Sequence, residues 1–73
     1  RSEQQRIVRE AMSRLSPRCQ ELLGALFLDP ANPSYQEISE RLGIAVGSIG
    51  PTRARCFKQL EAILLEMGFD YTA

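Results

Sequence analysis

The 73 residues can hold one domain and no more, because at this size only about 60% of the unfolded surface can be buried on folding. With 44% hydrophobic and 25% charged residues the chain is too apolar to be disordered, and it has no apolar run long enough to span a bilayer. Nine basic and nine acidic residues give zero net charge, which by itself argues against a strong nonspecific grip on nucleic acid.

The chain begins at Arg1 and carries neither a hydrophobic signal segment nor an Arg/Ser-rich leader, so residues 1–73 read as one domain excised from a longer cytoplasmic protein. Cys19 and Cys56 are too few and too isolated for a disulfide framework. With no His and no further Cys they cannot complete a zinc site, and they are expected to be two reduced core thiols. Charge is unevenly placed. From Arg41 to Leu60 stand the cations Arg41, Arg53, Arg55 and Lys58 and no acid, whereas Glu21, Asp29, Glu37 and Glu40 precede this stretch and Glu61, Glu66 and Asp70 follow it. One basic face is expected on a neutral domain.

Apolar residues recur at helical spacing in every segment, and nowhere with the period of two that a half-buried strand needs, so the fold is expected to be all-α with four helices. The first, over about 3–14, has the stripe Ile7, Val8, Ala11, Met12 and Leu15, with Ser2 as a cap and Gln5 at the third helical position. Ser16 followed by Pro17 opens the second, because serine caps and proline costs nothing where its missing N–H would have no partner. Cys19, Leu22, Leu23, Leu26 and Phe27 form its inward stripe until Pro30 turns the chain into the loop DPANP, residues 29–33.

Ser34 and Glu37 form a capping box for a short third helix, 34–42, with Tyr35, Ile38 and Leu42 facing inward. Gly43 can take the left-handed conformation of a helix stop, and Ile44 is placed to plug the core between two helices. The fourth helix, over about 47–67, carries Ile49, Cys56, Leu60, Ile63, Leu64 and Met67 on one stripe and stops at Gly68. Phe69 and Tyr71 beyond it are expected to fold back onto the core.

A short helix, a turn opening with glycine and a second helix with small or polar first turns describe a helix-turn-helix over residues 34–60. The second helix of such a motif enters the major groove, so its outward N-terminal positions must approach base edges. At about 100 degrees per residue Gly50, Pro51, Ala54, Arg55 and Lys58 lie opposite the apolar stripe, and Arg53 lies at its edge, where its stem can pack while the guanidinium reaches out. Pro51 would be costly deep in a helix. With Ser48 as the cap it falls at the third helical position, where its missing N–H is harmless. Gly50 and Pro51 then make a small tip for thymine methyl contact, with Thr52 and Arg55 as polar readers. Ser34, Tyr35 and Gln36, at the open end of the third helix, are candidates to clamp a phosphate.

The segment GSIGPTRARC, residues 47–56, preceded by SYQEISERLGIAV and by LSPRCQELLGALF at 15–27, resembles region four of bacterial sigma factors, in particular the actinobacterial extracytoplasmic-function group, over about 50 of the 73 residues. The resemblance implies a domain that binds the -35 promoter element as double-stranded DNA, docks on the flap tip of the RNA polymerase β subunit, can be covered by an anti-sigma factor, and works as a monomer. Arg55 matches a family arginine and Leu60 an apolar position five residues on. The family pattern has basic or polar residues where this chain has Gly50, Pro51 and Thr52, and a serine at Ala45. By this resemblance the domain is not an enzyme, and the residues offer no nucleophile with a base, no phosphate loop, no metal site and no cofactor.

Two other readings fit parts of the pattern. The output domain of a LuxR-like regulator shares four helices and the motif but dimerises on palindromic DNA. A helical protein-interaction module that no longer touches DNA fits the zero net charge and the glycine–proline tip.

Overall fold

The computed structural model describes residues 2–69, which hold four helices and no strand: α1 (Ser2–Ser13), α2 (Pro17–Leu23) running on into a π-helical turn (Gly24–Leu28), α3 (Tyr35–Leu42) and α4 (Val46–Glu66). The fold is all-α, as the helical spacing predicts. No helix among the described residues is long and apolar enough to cross a membrane. The roles expected of the Ser2 side chain as a cap and of Tyr71 in folding back lie outside the described residues.

The corners follow from local chemistry. Ser16 caps α2 by accepting from the Cys19 N–H, with Pro17 at the first helical position. Gln20 Nε2 donates to the carbonyls of Ser13 and Leu15, at 2.9 and 3.0 Å, and so closes the α1–α2 corner. At the α2–α3 connection the Asp29 carboxylate accepts the Ala31 N–H at 2.9 Å and pairs with Arg41 of α3 at 3.3 Å, while Asn32 takes a left-handed φ of 52°, a conformation this side chain tolerates. The Ser34–Glu37 capping box is complete in both directions. Gly43 has φ 72°, and the N–H groups of Gly43 and Ile44 both donate to Ser39 O, which stops α3 and leaves Ile44 packed against the core. Gly68 stops α4 with φ 83°, its N–H donating to Leu65 O and that of Phe69 to Leu64 O.

The Asp29 turn yields a pH prediction. The Ala31 N–H, and after it the Arg41 guanidinium, hold the Asp29 carboxyl below its ordinary 3.8. A group depressed in the folded state contributes stability that is present above its unfolded pKa and lost as pH falls through the folded value. Thermal melts of wild type and Asp29→Asn are therefore expected to differ at neutral pH and to converge as pH drops below 3.8. A constant gap down to the acid limit would show that the carboxylate's charge is not what holds the turn.

Four expectations are corrected. Phe27 was placed on the inward stripe of the second helix, yet it is 57% exposed and Leu28 69%. The π-helical turn advances each residue less around the axis than an α-helix does, so the stripe continued from Leu22 and Leu23 no longer contains position 27. Tyr35 was expected to face inward but is exposed, because the first position of α3 precedes the turn that Ile38 buries.

The fourth helix starts at Val46 with Ala45 as its cap residue, so Ser48 lies inside the first turn and donates its N–H to Ala45 O at 2.9 Å rather than capping. Pro51 consequently lies within the helix, where it forfeits the bond to the Gly47 carbonyl. Proline's Cδ also crowds the Cβ of the residue before it, and at Gly50 there is none. Lastly, Cys19 and Cys56 are not two thiols: their sulfurs are bonded, with Cα atoms 5.4 Å apart. Each was rightly placed on the inward stripe of its helix, and α2 and α4 pack with those stripes face to face.

The core lies where α2, α3 and α4 meet. Leu22, Leu23, Ile38, Ile49 and Cys56 are its fully buried large side chains, with Leu15, Cys19 and Ala25 around them. No polar or charged residue is buried among the described residues. Gln59 Oε1 accepts the Ser16 N–H at 2.8 Å, giving α4 a polar tether to the start of α2.

Candidate nucleic-acid interface

Helices α3 and α4 are joined by a three-residue turn, Gly43–Ala45, and this pair forms the expected helix-turn-helix. The turn is held from within, since Ser39 Oγ donates to the Ile44 carbonyl. Ile38 from α3 and Ile49 from α4 are both fully buried and fix the second helix to the first. The 21 residues of α4 extend about 30 Å, so one half can be presented to a partner while Leu60, Ile63 and Leu64 pack the other.

Of the residues expected to meet DNA, Ser48, Pro51, Arg55 and Lys58 are exposed on α4, while Gly50, Thr52 and Arg53 are half-buried at its flanks. Arg55 donates to Thr52 Oγ1 at 3.3 Å, so the two expected polar readers are coupled one turn apart. The ion pairs of the described residues engage Arg6, Arg14 and Arg41. Arg41 therefore leaves the expected basic face, and Arg53, Arg55 and Lys58 keep no acidic partner among the described residues. These three cations, within positions 53–58 of α4, form a local positive field on a neutral chain, as a phosphate-contacting surface requires.

Two further residues join this surface. Gly47, Pro51, Ala54 and Lys58 are spaced i, i+4, i+7 and i+11, and all are exposed, so they form one stripe along α4. Gly47 and Ala54 were not among the expected contact residues, although counting back and forward from Pro51 at helical spacing reaches both. The stripe is nearly bare of side-chain bulk until Lys58. At Gly47 no internal packing demands this, because a Cβ built there would meet nothing within 4 Å.

That emptiness makes Gly47→Ala a discriminating variant. Alanine is worth roughly 0.5–1 kcal/mol over glycine in a helix, so the variant should melt several degrees higher. If the stripe lies against a duplex, the same added methyl should weaken DNA binding. A stabilised variant with unchanged DNA affinity would remove Gly47 from the interface.

The expected phosphate clamp at the start of α3 is only partly available. Ser34 Oγ accepts the Glu37 N–H at 3.1 Å, and the Glu37 carboxylate accepts the Ser34 N–H at 2.8 Å, which places a negative charge at the helix end. Tyr35 and Gln36 are exposed, and their first-turn N–H groups have no intrahelical acceptor. Gln36 Nε2 is engaged by Glu40 at 3.3 Å. Ser34 is thus a structural cap, and any phosphate contact here falls to Tyr35 and Gln36.

A second surface lies beside the basic stripe. Val8, Met12, Leu23, Phe27, Phe57 and Leu60 line an open apolar groove of about 760 Å³ between α1, the end of α2 and α4. Phe27 and Phe57 meet across it with ring centroids 5.5 Å apart and planes tilted by 51°. Both rings are around half exposed, at 57% and 42%. No cluster of metal-ligating residues occurs among the described residues.

Comparison with known protein families, with curated proteins and with solved structures finds no match to this chain.

Proposed function

We propose that this domain recognises the -35 promoter element as the C-terminal domain of a sigma factor, directing RNA polymerase to promoters in transcription initiation. The observation that carries the reading is residues 47–58 of α4: an exposed, nearly side-chain-free stripe, flanked by Arg55 and ending in Lys58, on a helix anchored from behind by Ile49. Small residues permit close approach to base edges and methyl groups, arginine can bond bidentately to guanine, and lysine can meet a phosphate. Zero net charge leaves little nonspecific affinity, which suits a domain delivered to DNA by a larger assembly.

The groove between α1, α2 and α4 supports a second role. A concave apolar surface of this size, rimmed by Gln4, Gln5 and Arg9, suits an amphipathic helix from a protein partner. In the sigma reading that partner is the polymerase flap tip or an anti-sigma factor. In the alternative, a helical interaction module without DNA binding, this groove is the whole function.

The test is selection of bound duplexes from a random DNA library by the chain, followed by a salt titration of the enriched sequence. Enrichment of one unsymmetric hexamer, with affinity falling by a slope of about 0.9 per neutralised phosphate, supports promoter reading. An enriched palindrome would support a LuxR-like regulator instead, and no enrichment at low salt would leave the interaction module.

A further inference from the structure

The Cys19–Cys56 bond joins the first turn of α2 to the middle of α4, one residue beyond Arg55. The residues it spans, separated by 37 in sequence, include the whole of α3 and the helix-turn-helix turn, so the bond encloses the motif. Within the first half of α4 the buried residues are Ile49 and Cys56 alone. The bond is therefore one of two anchors that hold this half against the body of the domain. A disulfide at that place suits an oxidising compartment, whereas a promoter-reading domain works where thiol reductants keep such bonds in exchange or open.

We propose that Cys19 and Cys56 form a reversible dithiol–disulfide switch that fixes the first half of α4 when oxidised and loosens it when reduced. For its effect on DNA this inference rests on the reading of α4 as the recognition helix. The chemistry is a thiol–disulfide exchange with a dithiol reductant. A thiolate of the reductant attacks one sulfur of the pair, the S–S bond breaks, and the other cysteine leaves as a thiolate that takes a proton. The second thiol of the reductant then displaces the mixed disulfide. Two electrons and two protons pass to Cys19 and Cys56, and the reductant becomes a disulfide; an oxidised dithiol or glutathione disulfide reverses the sequence.

The core geometry says why α4 should respond. Two thiol sulfurs cannot approach as closely as bonded ones, and the pair shares one core cluster with the fully buried Leu22, Ile38 and Ile49, where close-packed interiors yield little to such a change. The helix with fewer anchors around the pair gives way. Ile49 lies two turns before Cys56 and Gln59 ties α4 to Ser16 just after it, so loosening is confined between them, at Gly50–Arg55, the expected reading surface.

The experiment equilibrates the chain in reduced and oxidised glutathione buffers, quantifies the pair by thiol alkylation and mass, and measures amide exchange and duplex affinity in each form. Both forms are expected to be populated across the buffer series. On reduction, exchange at residues 50–56 should accelerate tenfold or more while the second half of α4 changes little, and affinity for the selected duplex should fall about tenfold. Cys19→Ala/Cys56→Ala should be indifferent to the buffer. A pair that stays oxidised throughout, one that never forms, or unchanged exchange in α4 on reduction would overturn the switch. Loss of the helical circular dichroism on reduction would also overturn it, making the bond a staple of the whole fold. If neither form binds any duplex while the α4 exchange responds as expected, the promoter reading fails and the switch stands.

Discussion

Ile49→Ala is expected to cost 2–5 kcal/mol of folding stability and to lower the melting temperature by at least about 10 °C. Ile49 is fully exchanged from water to protein on folding, at 0% exposure, and it sits where α4 first meets α2 and α3. Truncation removes several methyl and methylene groups from a close-packed site, so the loss combines a transfer cost with a cavity cost. A domain of this length has on the order of 4–10 kcal/mol in total, so a loss at the upper end leaves the chain substantially unfolded at body temperature. Val46→Ala and Leu65→Ala are the matched controls, since these side chains are 42% and 59% exposed and their truncation should cost under about 0.5 kcal/mol. Urea denaturation of the three variants reads the difference. An Ile49→Ala cost below about 1 kcal/mol would mean that the start of α4 does not pack as described.

The same residue shows how far the fold can be read without coordinates. Helix ends set by local chemistry are legible: Ser16 with Pro17, the Ser34–Glu37 box, and the glycines at 43 and 68 stop or start helices where expected. The buried positions Ile38 on α3 and Ile49 and Cys56 on α4 are legible from helical spacing. What escapes depends on how helices turn against one another. The π-helical turn at Gly24–Leu28 rotates Phe27 towards Phe57, a contact between residues 30 apart in the sequence that no local pattern announces. The cysteine pairing needs the relative rotation of α2 and α4, although each cysteine's inward position was visible. Keeping Pro51 within the first turn puts the cap of α4 at Ser48, whereas the helix has its cap at Ala45 and holds Pro51 inside, with the residues before it secured by burial of Ile49.

The candidate surface divides along the same line. Outward placement of Pro51, Arg55 and Lys58 follows from their angle around the axis, and the structure agrees. The engagement of Arg41 by Asp29, twelve residues before it, depends on a loop conformation that no local pattern gives, whereas the Glu37 carboxylate at the start of α3 is legible in the capping box and competes there with any phosphate.

Arg55→Ala is expected to lower affinity for the selected duplex by 10- to 100-fold, or about 1–3 kcal/mol, and to relax preference at one base position. The guanidinium is exposed, has no acidic partner among the described residues, and is oriented by its bond to Thr52. Because it is not part of the core, the variant's stability should stay within about 0.5 kcal/mol of wild type, which separates lost reading from lost folding. Arg55→Lys should not rescue the preference, since an ammonium cannot reproduce a planar two-point contact with guanine. Lys58→Ala should behave differently, weakening all duplexes alike and reducing the salt slope by about 1. These two patterns assign base reading to Arg55 and phosphate positioning to Lys58. Should Arg55→Ala leave both affinity and preference intact while Phe57→Ala abolishes capture of a helical partner, the groove rather than the stripe carries the function of this domain.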